Sequence, residues 1–212
     1  MPMWGASTTD EHFPRNLSIE QQTRTYADNR GWVIVRPGHR DVSAGRHGKG
    51  EVLVTIRGLQ QLLGSSNVSF AWFLDPANKA SNSPSYSTGT TGKVRVTWNE
   101  RISPTTTGTL IIKQQLAGTS TVTNITATRV GNTTSNFVDF QFTAPSTTGA
   151  TLWIPAQTIS LGVIDVVDSF TSGLVLATSN VIYAGTGFRT GVGGNLSNGT
   201  RLWTNTSVTT TA

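Results

Sequence analysis

The side chains best suited to acid–base work or metal binding are His12, His39 and His47, together with the pair Asp165 and Asp168. A catalytic triad or a zinc centre needs ligands that converge on a rigid frame. His39 and His47 instead lie in the glycine-rich stretch "GHRDVSAGRHGKG", which reads as a mobile linker. Asp165 and Asp168, in "IDVVD", supply two carboxylates where calcium takes roughly six to eight oxygens, so a capping or turn role is the expectation for them. Acids after Glu100 are limited to Asp139, Asp165 and Asp168, too few for a convincing pair across a glycosidase cleft. No G-x-S-x-G elbow occurs. "GTGFRTG" has the wrong spacing for a dinucleotide fingerprint, and no helix follows to meet a phosphate. There are no cysteines, which excludes disulfides and thiolate metal sites. The expectation is a non-enzymatic chain with no catalytic residue, cofactor or metal.

The frame that would carry any site is written in the composition. Charged residues make up 13% of the 212-residue chain, and roughly one residue in six is threonine. That profile suits many short strands with polar outer faces and frequent turns. The net charge of +5 is a mild basic bias. Without a run of Lys or Arg to track phosphates, no nucleic-acid partner is expected. The N-terminus has no apolar stretch of the signal-peptide kind. No segment approaches the roughly 18 apolar residues of a membrane span, so no membrane is expected either.

Three zones separate along the chain. Residues 1–48 hold every histidine and charges of both signs. Within them "NLSIEQQTRTYAD" predicts one short helix with Ser18 as N-cap and Gln21 three residues on. "GWVIVRPG" predicts a strand stopped by Pro37-Gly38. Residues 49–185 are strand after strand. "EVLVTIRGL" puts Val52, Val54 and Ile56 on one face, "NVSFAWFL" puts Val68, Phe70 and Trp72 opposite Phe73, and "KVRVTWNE" sets Val94, Val96 and Trp98 against Lys93, Arg95 and Thr97. Turn-rich stretches such as "SPTTTG" and "PSTTG" separate such strands, a pattern of a β-sandwich and not of a βαβ fold. Residues 186–212 form a glycine- and asparagine-rich tail, expected to be poorly ordered without a partner, although "TRLWTNTSV" could add an edge strand.

"VRVTWNERISPTTTGTLIIKQ" and the later "NFVDFQFTAPSTTGATLWIPAQTISLGVIDVVD" resemble bacterial and phage immunoglobulin-like repeats. The resemblance rests on Val96, Asn99, Glu100 and Ile102; Leu110 and Ile112; Phe137, Phe140 and Phe142; and Ile154, Gly162, Ile164 and Asp165. It covers about a third of the chain and departs at "SPTTTGTLIIK", where the proline comes early. The front, "MPMWGASTTDEHFPRNL" followed by "YADNRGWVIVRPG", is similar to the start of small structural proteins of large tailed phages. Together the resemblances imply an all-β, immunoglobulin-like sandwich with an extended N-terminal arm and a loop-rich C-terminal tail. They imply a capsid decoration or cement protein of a virion assembled in the host cytoplasm, or else a neck or tail component.

On that reading the arm docks against the major capsid protein or another virion protein, in a homo-oligomer or symmetric array. The expected partner-binding residues are Trp4, Phe13, Arg30, Trp32, Arg36 and Arg40, since Trp and Arg are enriched where binding energy concentrates. Trp32, in a β context, has a second reading: it packs back on its own sandwich. The rival function is a carbohydrate- or host-surface-binding module, for which the loop around Tyr86 is the best candidate.

Overall fold

Ser18 and Gln21 cap one another. The Ser18 N–H donates to Gln21 Oε1 at 2.8 Å and the Gln21 N–H to Ser18 Oγ at 3.3 Å, the reciprocal capping box its sequence predicts. The helix it starts, α1 (Ile19–Gln22), lasts one turn. No apolar stripe extends it, and the hydroxyls of Thr23 and Thr25 donate back to the carbonyls of Glu20 and Gln21, each at 2.8 Å. The structure, a computed structural model, describes residues 14, 17–35, 50–59, 68–78, 84–104, 107–131, 135–155, 157–159, 161, 163–165, 181–182 and 208–211.

The fold is all-β, with almost no helix among the described residues. β1 (Thr25–Asp28), β2 (Gly31–Ile34) and β3 (Glu51–Thr55) follow α1, then β4 (Val68–Leu74), β5 (Ser85–Ser87), the long β6 (Thr91–Pro104) and β7 (Thr109–Gln115). β8 (Val122–Val130), β9 (Ser135–Thr143), β10 (Thr151–Trp153), β11 (Gln157–Thr158) and β12 (Val163–Asp165) come next. β13 (Val181–Ile182) and β14 (Val208–Thr211) complete the set.

Nine strands form one sheet in the order β12-β6-β9-β8-β7-β10-β14-β5, with β4 also paired to β6. β6 is long enough to hold β4 along its first half and β12 along its second, with β9 on its other side. The alternation of β6, β7 and β9 does what the sequence predicts. Val94, Val96, Trp98, Leu110, Ile112, Phe140 and Phe142 all enter one core, joined there by Phe73, Tyr86 and Leu152. Strands far apart in the sheet order share this core, so the sheet turns its apolar face inward around it. Outward positions of β7 and β8 pair through polar groups instead, as in Lys113 Nζ to Asn124 Oδ1 at 2.7 Å.

A second sheet, β1-β2-β3, packs against the first. Its core is small and aromatic: Ala27, Trp32 and Leu59 bury against Trp72 of β4, with Leu17, Val54 and Ile56 packed at the edge. β4 is therefore apolar on both faces. Its faces divide differently from the expected alternation, because the register with β6 shifts between Val68 and Phe70. This bulge sends Val68 into the main core with Phe73 and leaves Trp72 on the other side.

Two expectations of layout change. Residues 17–35 are part of the body, and the boundary placed at 48/49 runs through a three-stranded sheet, since β2 pairs with β3 from Gly31↔Thr55 to Ile34↔Glu51. Asn136 of β9 ties the same segment down, its amide donating to the carbonyls of Thr23 at 3.2 Å and Thr25 at 3.3 Å. The second change is at the C-terminus. Residues 208–211 form a strand inside the sheet order, between β10 and β5. The edge strand imagined around "TRLWTNTSV" falls mainly on residues outside those described.

Candidate functional site

The charge gathered near the front of the chain first builds a turn. Asp28 and Gly31 close the β1–β2 hairpin as a pair, with Asn29 and Arg30 as its two-residue loop. Asp28 Oδ1 accepts the Arg30 N–H at 2.7 Å, and Oδ2 accepts Nε at 2.9 Å and Nη2 at 2.6 Å. The Asp28 side chain is 7% exposed and the Arg30 side chain 44%. The tip is then clamped from outside: Ile56 N–H donates to the Arg30 carbonyl at 3.1 Å and Gly58 N–H to the Asn29 carbonyl at 2.9 Å. Arg30 thus holds the turn while its side chain stays partly exposed.

Trp32 has a different place from the one assigned to a docking anchor. It is 2% exposed and lies in the cluster with Trp72, because its strand is a layer of the body and its indole is the largest apolar group available to cover Trp72. Of its two readings the structure takes the inward one. Trp4, Phe13, Arg36 and Arg40 lie outside the described residues, as do His12, His39, His47 and Asp168.

The stretch read as a linker has a definite topological setting. Residues 36–49 connect β2 to β3, whose ends pair at Ile34↔Glu51. The basic sequence "RPGHRDVSAGRHGK" is therefore the connection of a hairpin, and its two ends are held side by side. It carries Arg36, Arg40, Arg46 and Lys49 against a single Asp41.

Tyr86, around which the candidate carbohydrate-binding loop is expected, is core. It is 1% exposed and packs edge-on against Phe142 at 5.4 Å and Phe73 at 6.4 Å between ring centres. Its hydroxyl donates to the Leu74 carbonyl and, at 3.3 Å, lies within reach of the Lys93 carbonyl. Burial pushes the phenol above its ordinary range, only partly opposed by the Lys93 main chain.

The outer face of β6 and β9 carries a bidentate ion pair. Arg95 reaches Asp139 with Nε–Oδ1 at 2.7 Å and Nη2–Oδ2 at 2.9 Å, and its guanidinium lies 3.9 Å from the Phe137 ring centre. Phe137, one of the residues carrying the immunoglobulin-like resemblance, thus faces away from the core that holds Phe140 and Phe142. Glu100, another of them, is fully buried beside the register break of β6. Both fates follow the period-two alternation: Glu100 continues the inward positions of Val94, Val96 and Trp98, and Phe137 is out of phase with Phe140 and Phe142.

Among the described residues no three His, Cys, Asp or Glu side chains are grouped to hold a metal ion, and no helix is long and apolar enough to cross a membrane. Comparison with protein-family models, curated proteins and solved structures finds no match to this chain.

Proposed function

We propose that the protein is a non-enzymatic structural component of a tailed-phage virion, a decoration or cement protein of the head, with an immunoglobulin-like β-sandwich as its body. The observation that carries this reading is the coincidence of motif and core. Val96, Ile102, Leu110, Ile112, Phe140, Phe142 and Ile154, which carry the resemblance to phage and bacterial immunoglobulin-like repeats, all lie in the one main core. The second core supports a mechanical role, because it joins the N-terminal hairpin to the body through Trp32 and Trp72. A cement protein must transmit load between its contacts without yielding, and two packed sheets suit that.

Contact with the major capsid protein or another virion protein then falls to the segments flanking the hairpin, through Trp4 and Phe13 before it and Arg36 and Arg40 after it, with Arg30 at the turn. Excess positive charge on the 36–49 connection raises the rate of encounter with an acidic shell more than it adds affinity. A neck or tail position would use the same contacts.

The test is co-sedimentation of the purified chain with phage heads that lack it. The variants are Trp4→Ala/Phe13→Ala and Arg36→Glu/Arg40→Glu, each verified by circular dichroism as folded. Saturable binding of the parent chain that falls at least tenfold in either variant supports the reading. No binding of the parent chain to heads, necks or tails refutes it.

A further inference from the structure

β14 is held on both sides by very few residues. It pairs with β10 at Thr151↔Thr209 and Leu152↔Val208, antiparallel, and with β5 at Ser85↔Thr209, Tyr86↔Thr210 and Ser87↔Thr211, parallel. Among the described strands it is also what connects β5 to the rest of the large sheet. β5 has an anchor of its own, since Tyr86 is buried against Phe73 and Phe142 and hydrogen-bonded to the Leu74 carbonyl. If Val208–Thr211 leaves, β5 stays, and a slot opens with β10 on one wall and β5 on the other. Both walls then present unpaired main-chain donors and acceptors, which is the edge condition that recruits a strand. A slot of this kind binds an extended segment through main-chain bonds.

The segment that suits both directions at once, antiparallel to one wall and parallel to the other, is this chain's own terminus. Residues 183–207 separate β13 from β14. Fully extended, that connection spans about 85 Å, against a radius of gyration of about 17 Å for a compact chain of this length. Covalent reach therefore includes the slot of an adjacent copy as well as its own. The two slots are chemically identical, so effective concentration sets the balance. For closure within one chain it falls as roughly the −3/2 power of the connection length, while crowding of copies raises the competing term.

We propose that the slot between β5 and β10 is a strand-acceptor site for the Val208–Thr211 strand of a second copy of this chain. Closely packed copies become linked by exchanged C-terminal strands, the low-cost route to association that swapping of an identical element provides. The inference goes beyond the virion reading and stands without it, because it requires only a high local concentration of the chain.

The absence of native cysteine makes the test direct. Thr151→Cys and Thr209→Cys are made as separate full-length variants and mixed over rising concentration under mild oxidation. Products are resolved by denaturing gel and the linked peptides identified by mass spectrometry. Val122→Cys, at an exposed site on β8, mixed with Thr209→Cys reports random collision. Strand exchange gives a 151–209 heterodimer that grows with concentration and exceeds the control severalfold. A double variant that closes only within one chain, with mixed dimer no higher than the control, overturns the proposal. A double variant that forms the 151–209 link neither within one chain nor between chains overturns it too, by removing the pairing on which the slot rests.

Discussion

Trp32 of β2 and Trp72 of β4 are buried in one cluster, 2% and 0% exposed, and through them the N-terminal sheet is fastened to the outer side of the large one. Trp32→Ala removes the larger part of that contact. The expected cost is about 3–5 kcal/mol, the range for emptying a buried aromatic site, read from urea unfolding followed by circular dichroism. A chain reduced to residues 49–212 loses Trp32 and leaves β3 without β2. It is expected to aggregate or to unfold without cooperativity. A monomeric, cooperatively folding 49–212 fragment would show that the hairpin is an accessory and not a part of the body.

Arg95 and Asp139 pose a different question, because their ion pair is 11% and 17% exposed and sits on a face partly covered by Phe137. Desolvation of both charges offsets much of their attraction, so the pair as a whole stabilises little, while an unmatched partner is costly. Asp139→Ala is expected to lose about 3 kcal/mol. The double variant Arg95→Met/Asp139→Leu is expected to regain most of it. Equal losses in the single and double variants would mean that the pair contributes its full attraction.

How much of this was legible in the sequence depends on whether the signal was local. The capping box of Ser18 and Gln21 and the alternation of Val94, Val96 and Trp98 are local, and both are realised. Alternation fails at β4, where one extra residue near Ser69 moves Val68 to the side of Phe73, and a period-two reading has no means of locating a bulge. The front is only partly legible for a related reason. Arg30 and Trp32 read together as partner-binding residues, yet Asp28 holds Arg30 in a hairpin turn and the Trp32 indole covers Trp72, a residue of a later strand. Tyr86 was placed on a loop by its polar neighbours, and only the tertiary contact with Phe73 and Phe142 makes it core. The pairing of residues 208–211 with β10 and β5 is wholly non-local, and four residues "VTTT" carry too little pattern to name a partner.

Gly31 shows how tightly the hairpin is built. Its φ is +130°, and a Cβ there would overlap the Val54 carbonyl oxygen. Gly89 also has positive φ, at +71°, but open space surrounds its missing Cβ. Gly89→Ala is expected to cost about 1 kcal/mol, the backbone penalty alone. Gly31→Ala adds displacement of β3 to that penalty and is expected to exceed about 3 kcal/mol. Chemical denaturation of the two variants separates the contributions. Similar losses at both positions would mean that β3 yields easily and that the β2–β3 contact is loose.

Tyr86 gives the body an alkaline limit. Burial raises its phenol in the folded chain, whereas the unfolded chain ionises near the ordinary value of about 10. Below that pH both states keep the proton, and the stability conferred by the buried, hydrogen-bonded phenol is fully present. As pH rises past about 10 the unfolded state releases its proton while the folded state retains it, so this group lowers stability by up to about 1.4 kcal/mol per pH unit until the folded phenol itself ionises. Tyr86→Phe removes the titration and also the bond to the Leu74 carbonyl. At pH 7 the variant is therefore expected to be less stable by about 1 kcal/mol. The gap closes above pH 10 and reverses near pH 11, as measured by urea midpoints across that range. Parallel pH profiles for the two proteins would place the alkaline sensitivity in other groups and leave Tyr86 with a packing role alone.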